Sequence, residues 1–177
     1  RNIQPTRSSY YQIMAEAPGG ILEFVGSDEV DPKSIISRAD IPNLHLIKSN
    51  DDRNQLSTML LNAADGRLRL LRLLPHFQDR YDLVVMDTQG ARSATLEMAL
   101  LASDLAVSPT IPEMLAAREF RRGTLTLFDE LQAYAMMNLA LPKLLVFINR
   151  GDFISSDARI ITKSLRNTFQ DLSLIHI

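Results

Sequence analysis

The sequence predicts an α/β fold, a three-layer sandwich around a mainly parallel sheet. Three observations point there. Short apolar runs rich in branched residues recur after residue 40, at Leu44 to Ile47, Leu83 to Met86, Leu105 to Val107 and Leu144 to Ile148. The stretches between them carry a helical period and are long enough for crossover helices. Each run is continuous rather than alternating, as expected of a strand buried on both faces, and each ends in polar or turn-forming residues.

The helices follow from caps and spacing. Asp51 or Asp52 can cap a helix carrying Leu56, Met59 and Leu60. A second helix follows Gly66, with Leu70, Leu74 and Phe77 on one face and Arg69, Arg72 and His76 on another. After Pro112, Ala117, Phe120, Thr124, Phe128, Leu131 and Ala135 recur at three or four residues, so one apolar stripe lies on the sheet. Pro142 stops that run before the last internal strand. A final helix from about Asp157 to Phe169 turns Ile161, Leu165 and Phe169 inward. No repeat, linker or composition shift marks a second domain.

Composition narrows the chemistry. The 177 residues carry 19 Lys+Arg against 21 Asp+Glu, a net charge of −2, and 46% are hydrophobic. Such a chain can bury a core, so disorder throughout is excluded. No apolar run reaches the roughly 18 residues of a membrane span. Without cysteine there is no disulfide, thiolate zinc site, iron–sulfur cluster or thiol nucleophile. His45, His76 and His176 lie far apart, so a bound metal would be a hard ion on oxygen ligands. With charge so balanced, DNA affinity has to come from local clusters.

Both ends read as cut. The opening "RNIQPTRSSYY" has no initiator Met or signal peptide, as though reading starts in mid-domain. Leu172 to Ile177 resemble the translated end of a sequencing-library transposon adapter, a non-native tail; a short terminal β-strand is the alternative. The expected organisation is thus one truncated domain over residues 1–177, with 172–177 in question.

Ligands of open α/β sheets sit at the carboxyl ends of parallel strands. Those ends read "SNDD", "DTQGA", "SPTIPE" and "NRGD". In "YDLVVMDTQGAR" four apolar residues deliver Asp87 to a strand end and Gly90 follows three residues later. An aspartate there can hold a magnesium-bound water, and a glycine amide can approach a terminal phosphate. The alternative is that Asp87 caps the next helix. In "KLLVFINRGD", Asn149 has an amide donor and acceptor suited to a purine edge, and Arg150 could stack on that base; a plain turn at Asn149 to Gly151 is the alternative. The two prolines of "SPTIPE" stiffen the loop after the third strand, or simply start a helix.

In order, "QPTRSSYY", "APGGI", "YDLVVMDTQGAR", "SPTIPEMLAAREFRRGTL" and "VFINR" resemble the deviant-Walker partition ATPases of the ParA family, most closely the ParA-type proteins of mobile elements, over about residues 4 to 170. The resemblance implies that the three-layer sandwich is partial, a P-loop NTPase-like fold lacking its first two strands, because the family's glycine-lysine phosphate loop appears nowhere in the sequence. Asn2 stands near where the family often has an aspartate.

It further implies that Asp87 is the magnesium-associated aspartate, acting through water, and that Gln89 and Gly90 form the catalytic switch segment. Asn149 and Arg150 would form the adenine-side motif, with Pro109 also cofactor-binding. The implied cofactors are ATP and Mg2+. The implied function is partition of a plasmid, integrative element or chromosome, by an ATP-dependent homodimer that binds DNA without sequence preference and works with a ParB-like partner. No membrane partner is implied, and the location would be cytoplasmic and nucleoid-associated in a bacterium. The chain itself, without a phosphate loop, is expected to be inactive.

Arg159, Lys163 and Arg166 form a stripe on the last helix that suits phosphate contacts, as do Arg118, Arg121 and Arg122 on the long one; a solvated face is the alternative, and because "REFRRG" belongs to the family resemblance, Arg118 to Arg122 could instead serve structure or the dimer interface. Two other functions remain open: a MinD-like or cellulose-synthesis-regulator ATPase, and a non-enzymatic α/β interaction module.

Overall fold

A computed structural model of the chain describes residues 12–149, 156–168 and 173–176. Contacts divide the chain into two units between Val84 and Val85.

The first unit is built on a local hairpin. Asn43, with φ 63°, takes the left-handed conformation that asparagine tolerates, and the Ala39 amide donates to the Leu44 carbonyl at 3.1 Å. This turn pairs β2 (Ile36–Ala39) antiparallel with β3 (His45–Ile47), and β1 (Ile13–Ala15) pairs antiparallel with the other side of β2. The Leu44 to Ile47 strand therefore exists, but not as the expected strand of a parallel sheet buried on both faces. It pairs instead with its close sequence neighbour β2, and Ile47 stays 37% exposed.

Around this sheet run α1 (Ile21–Gly26), α2 (Pro32–Ile35), α3 (Gln55–Asn62) and α4 (Arg69–Leu73), the last flanked by 3-10 turns at Gly66–Leu68 and Leu74–Phe77. The N-cap of α3 is Asn54, not Asp51, but Asp51 serves the start of the helix as expected: its carboxylate accepts from the Gln55 and Leu56 amides at 2.6 and 3.1 Å. Phe24, Val25, Ile35, Leu56, Leu60, Leu70, Leu73 and Phe77 are buried, with the Phe24 and Phe77 rings edge to face at 5.4 Å. The fully buried Ser37 hydroxyl accepts from the Ala17 amide at 3.0 Å, so this polar core atom is satisfied.

The second unit carries the expected βαβ succession. After α5 (Ala94–Leu101) come β4 (Leu105–Thr110), α6 (Met114–Ala135), β5 (Lys143–Ile148), α7 (Ser156–Thr168) and β6 (Ser173–His176). The order is β4-β5-β6, parallel throughout, with Leu105 opposite Lys143 and Thr110 opposite Ile148. β6 lies within the 172–177 segment and is the terminal strand of the alternative reading; Leu172 and Ile177 lie outside the described residues. Leu144, Val146 and Ile148 are buried, and Ile148 packs with Ile161 and Leu165 of α7 and with Ala117 and Phe120 of α6. Leu131 of the predicted α6 stripe is buried and its other members are half-buried. Phe169 lies outside the described residues.

Two further strand expectations need correction. β4 runs three residues past Val107 and alternates in exposure, with Leu105 and Val107 about half exposed, so it is covered on one face rather than two. Leu83 to Met86 is not a strand. Among the described residues no ladder takes its backbone groups, and Leu83, Val84 and Val85 are 76%, 49% and 64% exposed. Apolar composition makes a strand only where a neighbour completes its hydrogen bonds.

Candidate functional site

The carboxyl edge of the β4–β5 pair is the part of the predicted site that the backbone holds together. Six aligned residue pairs end at Thr110 and Ile148, and the Asn149 amide then donates to the Thr110 carbonyl at 2.7 Å. That bond carries the ladder one step beyond β5. It fixes Asn149, exposed and with further contacts of its own, at the same edge as Pro109, which is exposed within β4. Pro109 belongs to the strand rather than to the loop after it. A residue without N–H is tolerated there because β4 has a free side among the described residues. Arg150 lies outside the described residues, as do "QPTRSSYY" and Asn2.

Asp87, Gln89 and Gly90 sit in an exposed, irregular segment between Met86 and α5. With no strand at Leu83 to Met86, hydrogen bonding does not deliver Asp87 to the sheet edge as expected. Nor does Asp87 cap the following helix. Ser93 does: its hydroxyl accepts from the Leu96 amide at 3.2 Å and meets the Thr95 hydroxyl at 2.8 Å. Beside it, Arg92 pairs with Glu97 of α5 at 3.9 Å and with Glu130 of α6. The segment is thus fixed at its carboxyl end by a cap and an ion pair. Sequence reasoning missed both anchors, although a serine directly before "ATLEMALL" is an ordinary N-cap signal.

A magnesium nucleotide fits this segment in part. A Cβ on Gly90 would meet nothing within 4 Å, so one side of the segment is open to a phosphate group. Among the described residues no group of three or more His, Asp or Glu gathers to hold an ion, so side chains alone would not cage magnesium here, and Asp87 would meet it through water. The described residues offer an acid, an open glycine and a polar strand edge. The sequence offers no glycine-lysine cradle for the phosphates.

The predicted DNA stripe lies on α7. Arg159, Lys163 and Arg166 are exposed at four- and three-residue spacing, and Arg166 has a partner. Arg118, Arg121 and Arg122 are likewise exposed on α6.

Two motifs singled out by sequence serve structure in the first unit. The Glu23 carboxylate accepts from the Gly20 amide and the Asn50 side-chain amide, both at 2.7 Å, and the Asn50 carbonyl oxygen accepts from the Leu22 amide at 3.1 Å. These donors, the Gly20 amide first and Asn50 next, hold the Glu23 carboxyl below its ordinary value of 4.5. "APGGI" and "SNDD" are therefore locked together. A Cβ on Gly20 would stand 2.4 Å from the Lys48 carbonyl oxygen, which is why glycine is required there. Nearby, His45 Nδ1 lies 2.8 Å from the Tyr81 hydroxyl, whose pKa is raised by burial.

Among the described residues no helix is long and apolar enough to cross a membrane. No curated protein matches the chain significantly. Its fold is shared with solved structures. McdA of Cyanothece, as a point variant in complex with ATP, is 19% identical with a TM-score of 0.75, covering 93% of this chain and 63% of that one. Cobyrinic acid a,c-diamide synthase of Mycobacterium smegmatis, with bound ADP and magnesium, is 22% identical at 0.68, covering 86% and 60%. A structure described as a partition protein is 18% identical at 0.67, covering 95% and 52%. The chain therefore spans less than two thirds of the length of each of these proteins. The likeness gives it their P-loop NTPase-like α/β fold, with a parallel sheet and helices. Residues 4–141, well over half of the sequence, match the model described as AAA domain (AAA_31), and the chain belongs to that family.

Proposed function

We propose that residues 1–177 form one truncated domain of a ParA-like ATPase that partitions a plasmid, integrative element or chromosome. In the intact protein ATP and magnesium would drive homodimerisation, and the dimer would bind DNA without sequence preference and engage a ParB-like partner at the bacterial nucleoid. Family membership and a fold shared with an ATP-bound McdA and a partition protein support this reading. The single observation that carries it is the β4–β5 carboxyl edge, where Asn149 extends the ladder beside Pro109 at the position where open α/β sheets receive ligands.

In this reading Asn149 offers its side-chain amide to the adenine edge, and Pro109 and Arg150 are further cofactor-binding residues. Asp87 would hold magnesium through water, and Gln89 and Gly90 would position the attacking water and approach the terminal phosphate. When bound, magnesium would supply positive charge at the phosphates. Arg159, Lys163 and Arg166 meet DNA phosphates. The phosphate cradle is assigned to residues beyond this sequence, so hydrolysis is a property of the full-length protein.

Steady-state kinetics of the full-length protein test the assignment. Asp87→Ala is expected to abolish most ATP turnover without lowering the melting temperature. Asn149→Ala should raise KM for ATP by about one to two orders of magnitude, corresponding to the loss of one buried directional hydrogen bond. Wild-type turnover in Asp87→Ala would return Asp87 to a structural role, and unchanged ATP affinity and ATP-over-GTP preference in Asn149→Ala would return Asn149 to turn formation.

A further inference from the structure

The groove between α6 and α7 has a chemistry that the partition reading does not use. Arg121 and Leu125, four residues apart on α6, form one wall. Ile160, Lys163, Ser164 and Asn167, spaced three, one and three residues apart on α7, form the other, around about 620 Å³. The helices are held together beneath it by Ile161 and Leu165 against Ala117 and Phe120, so the groove belongs to the packing of this unit.

Two properties mark the groove. Leu125 and Ile160 keep 37% and 64% of their surface exposed, side by side with cations. Among the described residues neither Arg121 nor Lys163 takes part in an ion pair, whereas Arg69, Arg72 and Arg92 all do.

We infer that this groove is a docking site for an acidic amphipathic helix of a partner protein. Leucine-like anchors would cover Leu125 and Ile160, and carboxylates one turn away would meet Arg121 and Lys163. Charge complementarity selects an acidic occupant. The aliphatic pair selects a peptide over a duplex, because sugar–phosphate backbone gains nothing from exposed leucine and isoleucine, whereas a helix laid in a groove buries such anchors. The inference stands without the ATPase reading. It shares Lys163 with the proposed DNA stripe, so an occupied groove would compete with DNA there.

The test uses the full chain and a labelled helical peptide of glutamate, alanine and leucine, with leucines three and four residues apart. A second peptide has serine for each leucine, and a DNA duplex is the third probe. The leucine peptide is expected to bind saturably. Combining Arg121→Glu with Lys163→Glu should weaken it about tenfold or more, the size expected for losing charge pairs across an interface. Leu125→Ser should weaken it while leaving duplex binding unchanged, and Leu125→Met should restore it. Equal binding of leucine and serine peptides, or self-association of the chain that excludes the peptide, would overturn the inference. Absence of peptide binding in protein that melts cooperatively would do the same. The DNA reading fails on a different result: a salt dependence of duplex binding unchanged when Arg159, Lys163 and Arg166 become alanine.

Discussion

Leu83–Met86 and Leu144–Ile148 are nearly alike in sequence, four or five apolar residues leading to a polar strand end, and they come to different structures. The second is the centre of a parallel sheet, with β4 on one side and β6 on the other and Leu144, Val146 and Ile148 buried. The first has no ladder and exposes Leu83, Val84 and Val85. Hydrophobicity sets what a segment gains by burial, but a strand must also place its amides and carbonyls. Lys143–Ile148 finds both neighbours, each connected through a crossover helix whose apolar stripe covers the same face.

The largest expected effect comes from placing a charge in each segment. Val146→Asp buries a carboxylate where no surface is exposed, and should cost about 3 to 5 kcal/mol, enough to unfold the second unit. Val85→Asp, at a residue 64% exposed, should stay within about 0.5 kcal/mol. Denaturant unfolding of the two variants reads the contrast directly. A large loss in Val85→Asp would mean that the Leu83 to Met86 run is buried as a strand after all.

Much of the parallel unit was legible in sequence because its signals are long. The α6 stripe from Ala117 to Ala135 repeats over five turns, and the final helix put Ile161 and Leu165 inward as the spacing demanded. β5 was legible as a continuous apolar run. The hairpin unit was not, because β2 holds "ISRA", with a buried serine and an exposed arginine, and gives no apolar alternation to read. Its pairing follows from a left-handed Asn43 instead. The site was legible in part: Asn149 and Pro109 do share an edge, while the anchors of the Asp87 segment, Arg92 with Glu130, come from residues 38 apart in sequence. No local pattern carries such a pairing.

Two glycines sharpen the contrast at smaller cost. Gly20 is pressed on the Lys48 carbonyl, so Gly20→Ala should destabilise the hairpin unit by about 1 to 3 kcal/mol as that backbone shifts. Gly90 has open space and no positive φ, so Gly90→Ala should leave stability within about 0.5 kcal/mol. If the Asp87 segment works on a phosphate, ATP turnover of the full-length protein should nevertheless fall. A stable Gly90→Ala protein with full turnover would make this glycine an ordinary loop residue. A stable Gly20→Ala protein would show that the Gly20 and Lys48 backbones separate freely.

The smallest effect separates the two units by pH. Glu23 is exposed, so its hydrogen bonds are screened by water and contribute less than the buried contacts above. Their sign is nevertheless fixed. The Gly20 and Asn50 amides favour the carboxylate, so the folded pKa lies below the unfolded value, near 4.5. A group shifted down binds fewer protons folded than unfolded; its stabilisation is complete above the unfolded value and disappears as pH falls through the folded one. Glu23→Gln keeps an oxygen acceptor but removes the titration. The variant should be slightly less stable than the parent at neutral pH, and the difference should close as pH drops below about 4.5, where the parent's own carboxylate becomes protonated. The experiment is a pair of denaturant midpoints measured from neutral to acid pH, followed by a probe of the first unit such as Tyr81 fluorescence. Midpoints that remain separated by the same amount down to acid pH would show that the link between Gly20, Glu23 and Asn50 acts through shape alone, and that its carboxylate charge contributes nothing to holding the hairpin unit together.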